Sequence, residues 1–219
     1  MIAVAASMVA GACLLSLEVT AGRVLAPYVG VSLYTWTSII GVVLSGSAMG
    51  SYVSGRLVDR LPARGVLGGV LGAGGLSAGA AVVIAAAVLD WGWLPRLPLI
   101  QTILALSTAI FLVPSLLIGA VTPAAVRLAL PDSGRSGRAV GAVYAASTAG
   151  AIVGTFATGL YLVEAIGSRG VMLAVAGLLV LAGSVVWSER PGLPRAATIV
   201  AGIAVISAIL VAGGRDITR

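Results

Sequence analysis

Two charged residues, Glu18 and Arg23, stand inside the first long apolar run of the chain. An ionisable side chain deep in a lipid bilayer is costly, and by default it marks a functional site or a buried pair. Five residues of helix turn the chain by about 500°, so the two side chains do not share one helix face. Glu18 is therefore expected to meet another helix, and Glu164, near the level of Arg23, is a candidate partner for that arginine.

Two interpretations of Glu18 stay open at this point. In one, its carboxyl group forms an ion pair or a hydrogen bond that holds helices together. In the other, it binds a cation or relays a proton along a pathway through the protein. Arg23 has a similar alternative, because a long arginine side chain can extend to lipid headgroups without a protein partner. We predict Glu18, Arg23 and Glu164 as residues of a substrate or proton pathway.

Most familiar catalytic sites are excluded by missing residue types. The chain has no histidine, which removes Ser-His-Asp triads and imidazole bases. It has no lysine, which removes Walker A loops and Schiff bases, and its one cysteine, Cys13, cannot form a zinc cluster. We therefore predict no catalytic residue, no metal site and no cofactor, and the balance is against an enzyme.

The composition places most of the chain in lipid. Of the 219 residues, 59% are hydrophobic and 9% are charged, with a mean hydropathy of +1.13. Soluble domains carry about 25% charged residues, so a soluble fold of this length could not hide so much apolar surface. The net charge of +6 comes from scattered arginines rather than from one basic face, which argues against nucleic acid as a partner.

The apolar runs predict an all-α, polytopic integral membrane helix bundle, with one domain over residues 1–219. A helix needs about 20 apolar residues to cross a bilayer. By that criterion we predict about seven spans, at about residues 2–26, 33–58, 65–89, 97–130, 139–163, 170–187 and 196–212. No repeat longer than a helix pair is visible in the sequence.

The distribution of arginine between the loops predicts the orientation of these spans. Cytoplasmic loops are enriched in basic residues. Eight arginines fall on one side and five on the other when Arg23 is counted, which predicts a multi-pass cell membrane protein with a cytoplasmic N-terminus. The richer side holds Arg56, Arg60, Arg64, Arg127, Arg135, Arg138, Arg190 and Arg195.

The fourth predicted span is too long for one straight crossing and contains Pro114 and Pro123. Proline removes an intrahelical hydrogen bond and tends to kink or break a helix. Thr122 precedes Pro123, and the pair could mark a broken helix whose carbonyl groups face a cavity, as in transporters. A plain kink is the alternative. These three residues are the candidate kinked-helix site.

The loop after the second span contains the run Gly55-Arg56-Leu57-Val58-Asp59-Arg60. This run resembles the cytoplasmic loop signature of the major facilitator superfamily. Its position between the second and third spans matches that family, whereas Pro62-Ala63 replaces part of the basic second half. The resemblance implies a gating role for Gly55, Arg56, Asp59 and Arg60.

A second resemblance covers nearly the whole chain. It is carried by the segments 17–28, 32–41, 114–123 and 144–150. These segments resemble the membrane domain of spermidine synthase-like fused membrane proteins, in which a half-major-facilitator-like domain precedes a soluble aminopropyltransferase-like domain. That soluble domain has no counterpart here, because no strand is followed by a glycine-rich nucleotide loop.

The resemblance implies a transporter-like membrane module for a small metabolite, with a cationic, polyamine-like compound as the expected class. A facilitator pathway lies between two helix bundles, so a chain with one bundle is expected to form a homodimer. The alternative is a membrane anchor or regulatory scaffold for a separate aminopropyltransferase-like enzyme. The expected partners are thus the lipid bilayer, a second copy of the chain and, in the alternative, that enzyme.

Overall fold

The structure is a computed structural model that describes residues 1–89, 97–130 and 136–188. These residues are almost entirely helical and contain no strand, so the all-α prediction is confirmed. Within these ranges one π-helical segment, Thr158–Leu162, separates the last two α-helices. The α-helices are α1 Ile2–Val29, α2 Leu33–Val58, α3 Ala63–Leu89, α4 Leu99–Gly119, α5 Val121–Ala129, α6 Ser136–Ala157 and α7 Val163–Ser188.

Five helical stretches in the described part of the chain are long and apolar enough to cross a membrane, which is compatible with a multi-pass membrane protein. The predicted number of seven is therefore wrong for these residues. The predicted fifth and sixth spans form one stretch of 53 residues, and the predicted seventh, at 196–212, lies outside the described residues. The five stretches are Ile2–Val29, Leu33–Val58, Ala63–Val88, Leu99–Ala129 and Ser136–Ser188.

The last of these stretches is divided by Gly167. This residue has φ 71° and ψ 169°, a left-handed conformation that glycine adopts at little steric cost. The chain reverses there: α6 runs parallel to α1, whereas the α7 residues that follow Gly167 begin beside the C-terminal end of α1. The two predicted spans therefore correspond to two limbs of one helical stretch, with a single glycine in place of the expected loop.

α1 ends three residues later than predicted, at Val29. Pro27 was expected to end the helix before it, but it lies inside the last turn, and the Gly30 N–H closes the helix on the Ala26 carbonyl oxygen (2.9 Å). Because Pro27 has no N–H, the Arg23 carbonyl four residues earlier lacks its usual helical donor. The chain then turns over three residues into α2.

Three helix pairs form the centre of the bundle: α1 with α6, α2 with α4, and α3 with α7. Glycine brings the backbones of each pair close together. A Cβ atom at Gly154 of α6 would overlap the Ala12 carbonyl of α1, and one at Gly50 of α2 would overlap the Leu116 carbonyl of α4. Small residues at helix crossings permit such close approaches. Helix packing therefore explains these glycines.

The α1–α6 and α2–α4 contacts are equivalent, because their residues are related by one constant shift in sequence number. A shift of 104 residues converts Gly46 and Gly50 of α2 into Gly150 and Gly154 of α6. The described chain therefore contains two three-helix repeats, α1–α3 and α4–α7, in which α4 and α5 together correspond to α1. The expectation of no repeat longer than a helix pair is wrong. The same shift relates the backbone positions that these glycines approach, which are Met8 and Ala12 of α1 and Leu112 and Leu116 of α4.

The two repeats run in opposite directions along the bundle. Successive glycines of α6 approach successive turns of α1 in the same N-to-C direction, so these two helices are parallel. The same holds for the glycines of α2 and the turns of α4. A short turn joins α1 to α2, which makes these two helices antiparallel. α1 is therefore antiparallel to α4, its counterpart in the second repeat. Other equivalent residues at the same shift are Arg23 with Arg127, Ser54 with Thr158, and Gly55 with Gly159.

Candidate functional site

Two cavities meet at Arg23, near the C-terminal end of α1. The larger, of about 500 Å³, lies between α1, the start of α2 and the second limb of α7, with Trp36 in its wall. The smaller, of about 190 Å³, lies between α1, α3 and α7 and is lined by Arg169 as well. Arg23 and Ser168 belong to both cavities. One end of the bundle therefore holds two adjacent cavities that share lining residues.

Close packing fixes the wall of the larger cavity. Gly22 of α1 lies against the indole of Trp36, where an added Cβ atom would come within 2.8 Å of the ring. Thr35, the residue before Trp36, is buried, and its hydroxyl donates to the Gly30 carbonyl oxygen (3.0 Å). The turn between α1 and α2 thus holds the Trp36 ring beside Arg23.

Ser168 and Arg169 begin the second limb of α7. They follow the non-helical Gly167, so the first N–H groups of this limb have no carbonyl partner in a continuous helix before them. Such helix N-termini carry a partial positive charge. Ser168 is half-buried and Arg169 is exposed. The cavity end of the bundle therefore combines two guanidinium groups with a helix N-terminus.

Among the residues that the structure describes, no carboxylate matches the positive charge of these cavities. Arg23 and Arg169 are the charged residues among their described linings. Within residues 1–89, 97–130 and 136–188, neither arginine forms an ion pair. Glu164, the predicted partner of Arg23, is exposed in the first turn of α7, and the structure does not join the two. The cavities consequently present positive charge.

Glu18 is half-buried near the middle of α1. In the part of the chain that the structure describes, its carboxyl group has no hydrogen bond or ion pair. The nearby hydroxyl groups bond to one another and to α6: Ser16 donates to the Gly154 carbonyl oxygen (3.3 Å), and Thr158 donates to Ser16 (2.8 Å). Glu18 therefore forms no described polar contact between α1 and another helix.

The facilitator-like signature lies at the opposite end of the bundle from these cavities. Gly55 and Arg56 belong to the last turn of α2, and Asp59 caps that helix. The Arg56 guanidinium lies over the Tyr52 ring, 4.2 Å from its centroid, which is a cation–π contact. Asp59 and Arg60 are exposed. The structure thus does not bring the predicted gating residues together with Arg23.

The predicted fourth span is broken at Ala120, where α4 gives way to α5. Pro114 lies inside α4 without ending it. Pro123 has no N–H, so the Gly119 carbonyl four residues earlier loses its helical donor. The Ser51 hydroxyl of α2 donates to that carbonyl oxygen instead, at 3.0 Å. A neighbouring helix therefore satisfies the carbonyl group that the proline leaves without a donor.

The second carbonyl group at the break is also used for packing. The Ser54 hydroxyl donates to the Ala120 carbonyl oxygen at 2.6 Å. Thr122 and Pro123 are half-buried in α5, and neither lines the cavities at Arg23. α4 and α5 thus form one interrupted stretch, and the two carbonyl groups at its break bond to α2 rather than facing the cavities at Arg23.

Sequence reasoning misses Arg169, Ser168 and Trp36 as neighbours of Arg23. They come together because the chain reverses at Gly167 and because α1 packs against the start of α2. One signal was available, since Arg169, like Arg23, falls on the side of the bundle with fewer arginines.

Comparisons with protein-family models, with curated proteins and with solved structures found no match for this chain. The resemblances to the facilitator superfamily and to spermidine synthase-like membrane domains therefore stay predictions.

Proposed function

We propose that the chain is a transporter-like integral membrane module that binds or moves a small metabolite. The observation that carries this proposal is the pair of oppositely directed three-helix repeats. Inverted repeats of three helices, nested within each half of the molecule, are typical of facilitator transporters. The five helical stretches of the described chain that are long and apolar enough to cross a membrane support the same setting.

A homodimer would supply the second bundle that a facilitator pathway needs. In that architecture the substrate site lies between two bundles near mid-membrane, and the described residues provide one bundle. α2 and α6 leave large side chains exposed at equivalent positions of the two repeats, Met49 with Val153 and Tyr52 with Phe156. We propose that the face defined by these four residues meets a second copy of the chain.

Glu18 is the proposed site for a cation or a proton. A carboxyl group within an apolar helix is costly without a partner, and none of the described residues bonds to this one. Arg23 lies about 7.5 Å further along the helix axis, on a different face of α1, and is the second residue that we propose for the pathway, at its end. A cationic, polyamine-like compound is the first substrate class to test, in keeping with the resemblance to spermidine synthase-like membrane domains.

Uptake of a labelled polyamine into proteoliposomes tests this proposal. We expect the purified protein to accumulate the label above protein-free liposomes and Glu18→Gln to lose most of that uptake. Because Glu18 has no described partner, the variant should fold with the yield of the wild type. Leu15→Met, a volume-conserving change one turn away on α1, is the matched control and should keep uptake. Full uptake by Glu18→Gln would contradict the role of this carboxyl group.

If the purified wild-type protein and both variants all fail to take up the polyamine, the scaffold function is favoured instead. Co-purification with a soluble aminopropyltransferase-like enzyme would then identify the partner. The oligomeric state in detergent is an independent measurement. A strict monomer would contradict a pathway between two copies.

A further inference from the structure

We propose that the two cavities at Arg23 form a binding site for an anionic group, a phosphate or a carboxylate, held by Arg23 and Arg169. The site lies where α1 ends and the second limb of α7 begins. It goes beyond the proposed transport function and does not depend on it, because binding can be measured without any gradient across a membrane.

The two cavities together have the size of a small-ligand site. Their volumes are about 500 and 190 Å³, and Arg23 and Ser168 contribute to the walls of both. Ligand pockets in proteins typically enclose about 300–1,000 Å³. Trp36 forms part of the wall of the larger cavity. A ligand with an apolar portion next to its anionic group would therefore suit this cavity.

Charge decides the class of ligand. Arg23 and Arg169 both line the smaller cavity, and no carboxylate side chain appears among the described linings. Two guanidinium groups at one cavity repel each other, and an anion between them would replace that repulsion with charge-assisted hydrogen bonds. The planar fork of arginine also matches the oxygen atoms of phosphate and carboxylate. A cation would meet unfavourable charge in these cavities, so this anion site is separate from the cation or proton site proposed at Glu18, which lines neither cavity.

The backbone after Gly167 adds hydrogen-bond donors to the arginine pair. Ser168 and Arg169 begin a new helical limb after Gly167, and the first N–H groups of a helix commonly bind anions. The Ser168 hydroxyl has no hydrogen-bond partner in the described part of the chain. The arginine pair carries the proposal, and the helix start supports it.

The anionic group could belong to a lipid headgroup or to a free metabolite. Both sources present the same oxygen atoms to Arg23 and Arg169. The cavities lie at the ends of long apolar helices, where a headgroup and a dissolved ligand would both have access. The experiment therefore has one arm for each source.

Thermal unfolding of the purified full chain in nanodiscs measures both arms. In the first, inorganic phosphate is added to phosphatidylcholine nanodiscs, against sodium chloride of equal ionic strength. In the second, the nanodiscs contain phosphatidylglycerol and the buffer contains no phosphate. A ligand that binds the folded state alone raises Tm by mass action. We expect a higher Tm in at least one arm.

Three matched substitutions assign the effect to the cavities. Arg23→Gln and Arg169→Gln should each weaken the apparent affinity about tenfold or more, because each removes a charge-assisted hydrogen bond. Arg127→Gln is the control, since Arg127 is the repeat counterpart of Arg23, exposed and outside both cavities. Both arginines are exposed, so both variants should fold, and if one of them does not, the other decides the question.

Stabilisation by phosphate would identify a free anion as the ligand, and stabilisation by phosphatidylglycerol alone would identify a headgroup. Either result supports the site if both cavity variants lose the effect and Arg127→Gln keeps it. The absence of stabilisation in both arms overturns the proposal. A folded cavity variant that retains the full effect overturns it as well.

Discussion

α2 and α6 occupy equivalent places in the two repeats, and equivalent residues hold each of them against a helix of the other repeat. Gly50 approaches a carbonyl group of α4, and Gly154 approaches one of α1. Hydroxyl groups at equivalent positions also bond to the other repeat. Ser54 donates to the Ala120 carbonyl oxygen between α4 and α5 at 2.6 Å, and Thr158 donates to the Ser16 hydroxyl of α1 at 2.8 Å. The repeats therefore agree where two helices touch, which is where packing restricts the choice of residue.

The first elements of the two repeats differ at their centres. α1 is continuous and carries Glu18, whereas the equivalent position 104 residues later is Thr122, next to the break between α4 and α5. The carbonyl groups at that break accept hydrogen bonds from α2, but the carboxyl group of Glu18 forms no hydrogen bond or ion pair with a described residue. No described polar contact accounts for Glu18, which is why we propose a functional role for it.

Alanine at Gly50 or Gly154 should have the largest effect of the changes that test this comparison. Each added methyl group would overlap a backbone carbonyl group of the neighbouring helix, and overpacking costs about 1–3 kcal/mol. We expect both variants to lose several degrees of Tm or to elute as aggregates in size-exclusion chromatography. Because the two contacts are equivalent, the losses should be similar in the two repeats.

Gly55→Ala and Gly159→Ala are the matched controls for that stability measurement. These glycines are also 104 residues apart, and an added Cβ atom at either meets no atom within 4 Å. Alanine is favoured over glycine in helices by up to about 1 kcal/mol, so both controls should match or exceed the wild-type Tm. Equal stability of Gly154→Ala and Gly159→Ala would contradict the close packing of α1 and α6.

A smaller effect tests the break that distinguishes the second repeat. Ser51→Ala should cost about 0.6 kcal/mol, the average for a hydrogen bond between membrane helices. With Pro123→Ala, residue 123 regains an N–H group for the Gly119 carbonyl, so Ser51→Ala should cost less in that background. A double-mutant cycle of unfolding in detergent measures the difference. The same cost in both backgrounds would show that Ser51 does not replace the missing donor.

The ends of a helix could be predicted where a residue with a known preference for helix ends, such as an N-cap serine, stands in the sequence. α2 was expected at 33–58 and lies at Leu33–Val58, because Ser32 accepts a hydrogen bond from the Thr35 N–H and caps the helix. The reversal at Gly167 could not be predicted in the same way. Glycine is frequent inside membrane helices for packing, so one glycine with a left-handed backbone does not stand out in the sequence.

The candidate site could be predicted only in part, because some of its residues carry a local signal in the sequence and others do not. Glu18 and Arg23 are charged residues in an apolar run, which is a local signal that needs no structure. Arg169 joins Arg23 only through the fold, since 146 residues separate the two in the sequence. The repeat was hidden because its copies share few identical residues. The repeat becomes visible in the structure, where glycines that are 104 residues apart approach backbone positions that are also 104 residues apart.

Cysteine labelling from one side of a membrane tests most directly whether the described helices cross it as two inverted repeats. Leu33 and Gly137 are 104 residues apart, and both are exposed at the starts of α2 and α6. The one native cysteine, Cys13, is buried and would be replaced by alanine. We predict that an impermeant maleimide labels Leu33→Cys in intact cells and Gly137→Cys only after permeabilisation. Labelling of both positions from the same side would contradict the inverted repeats.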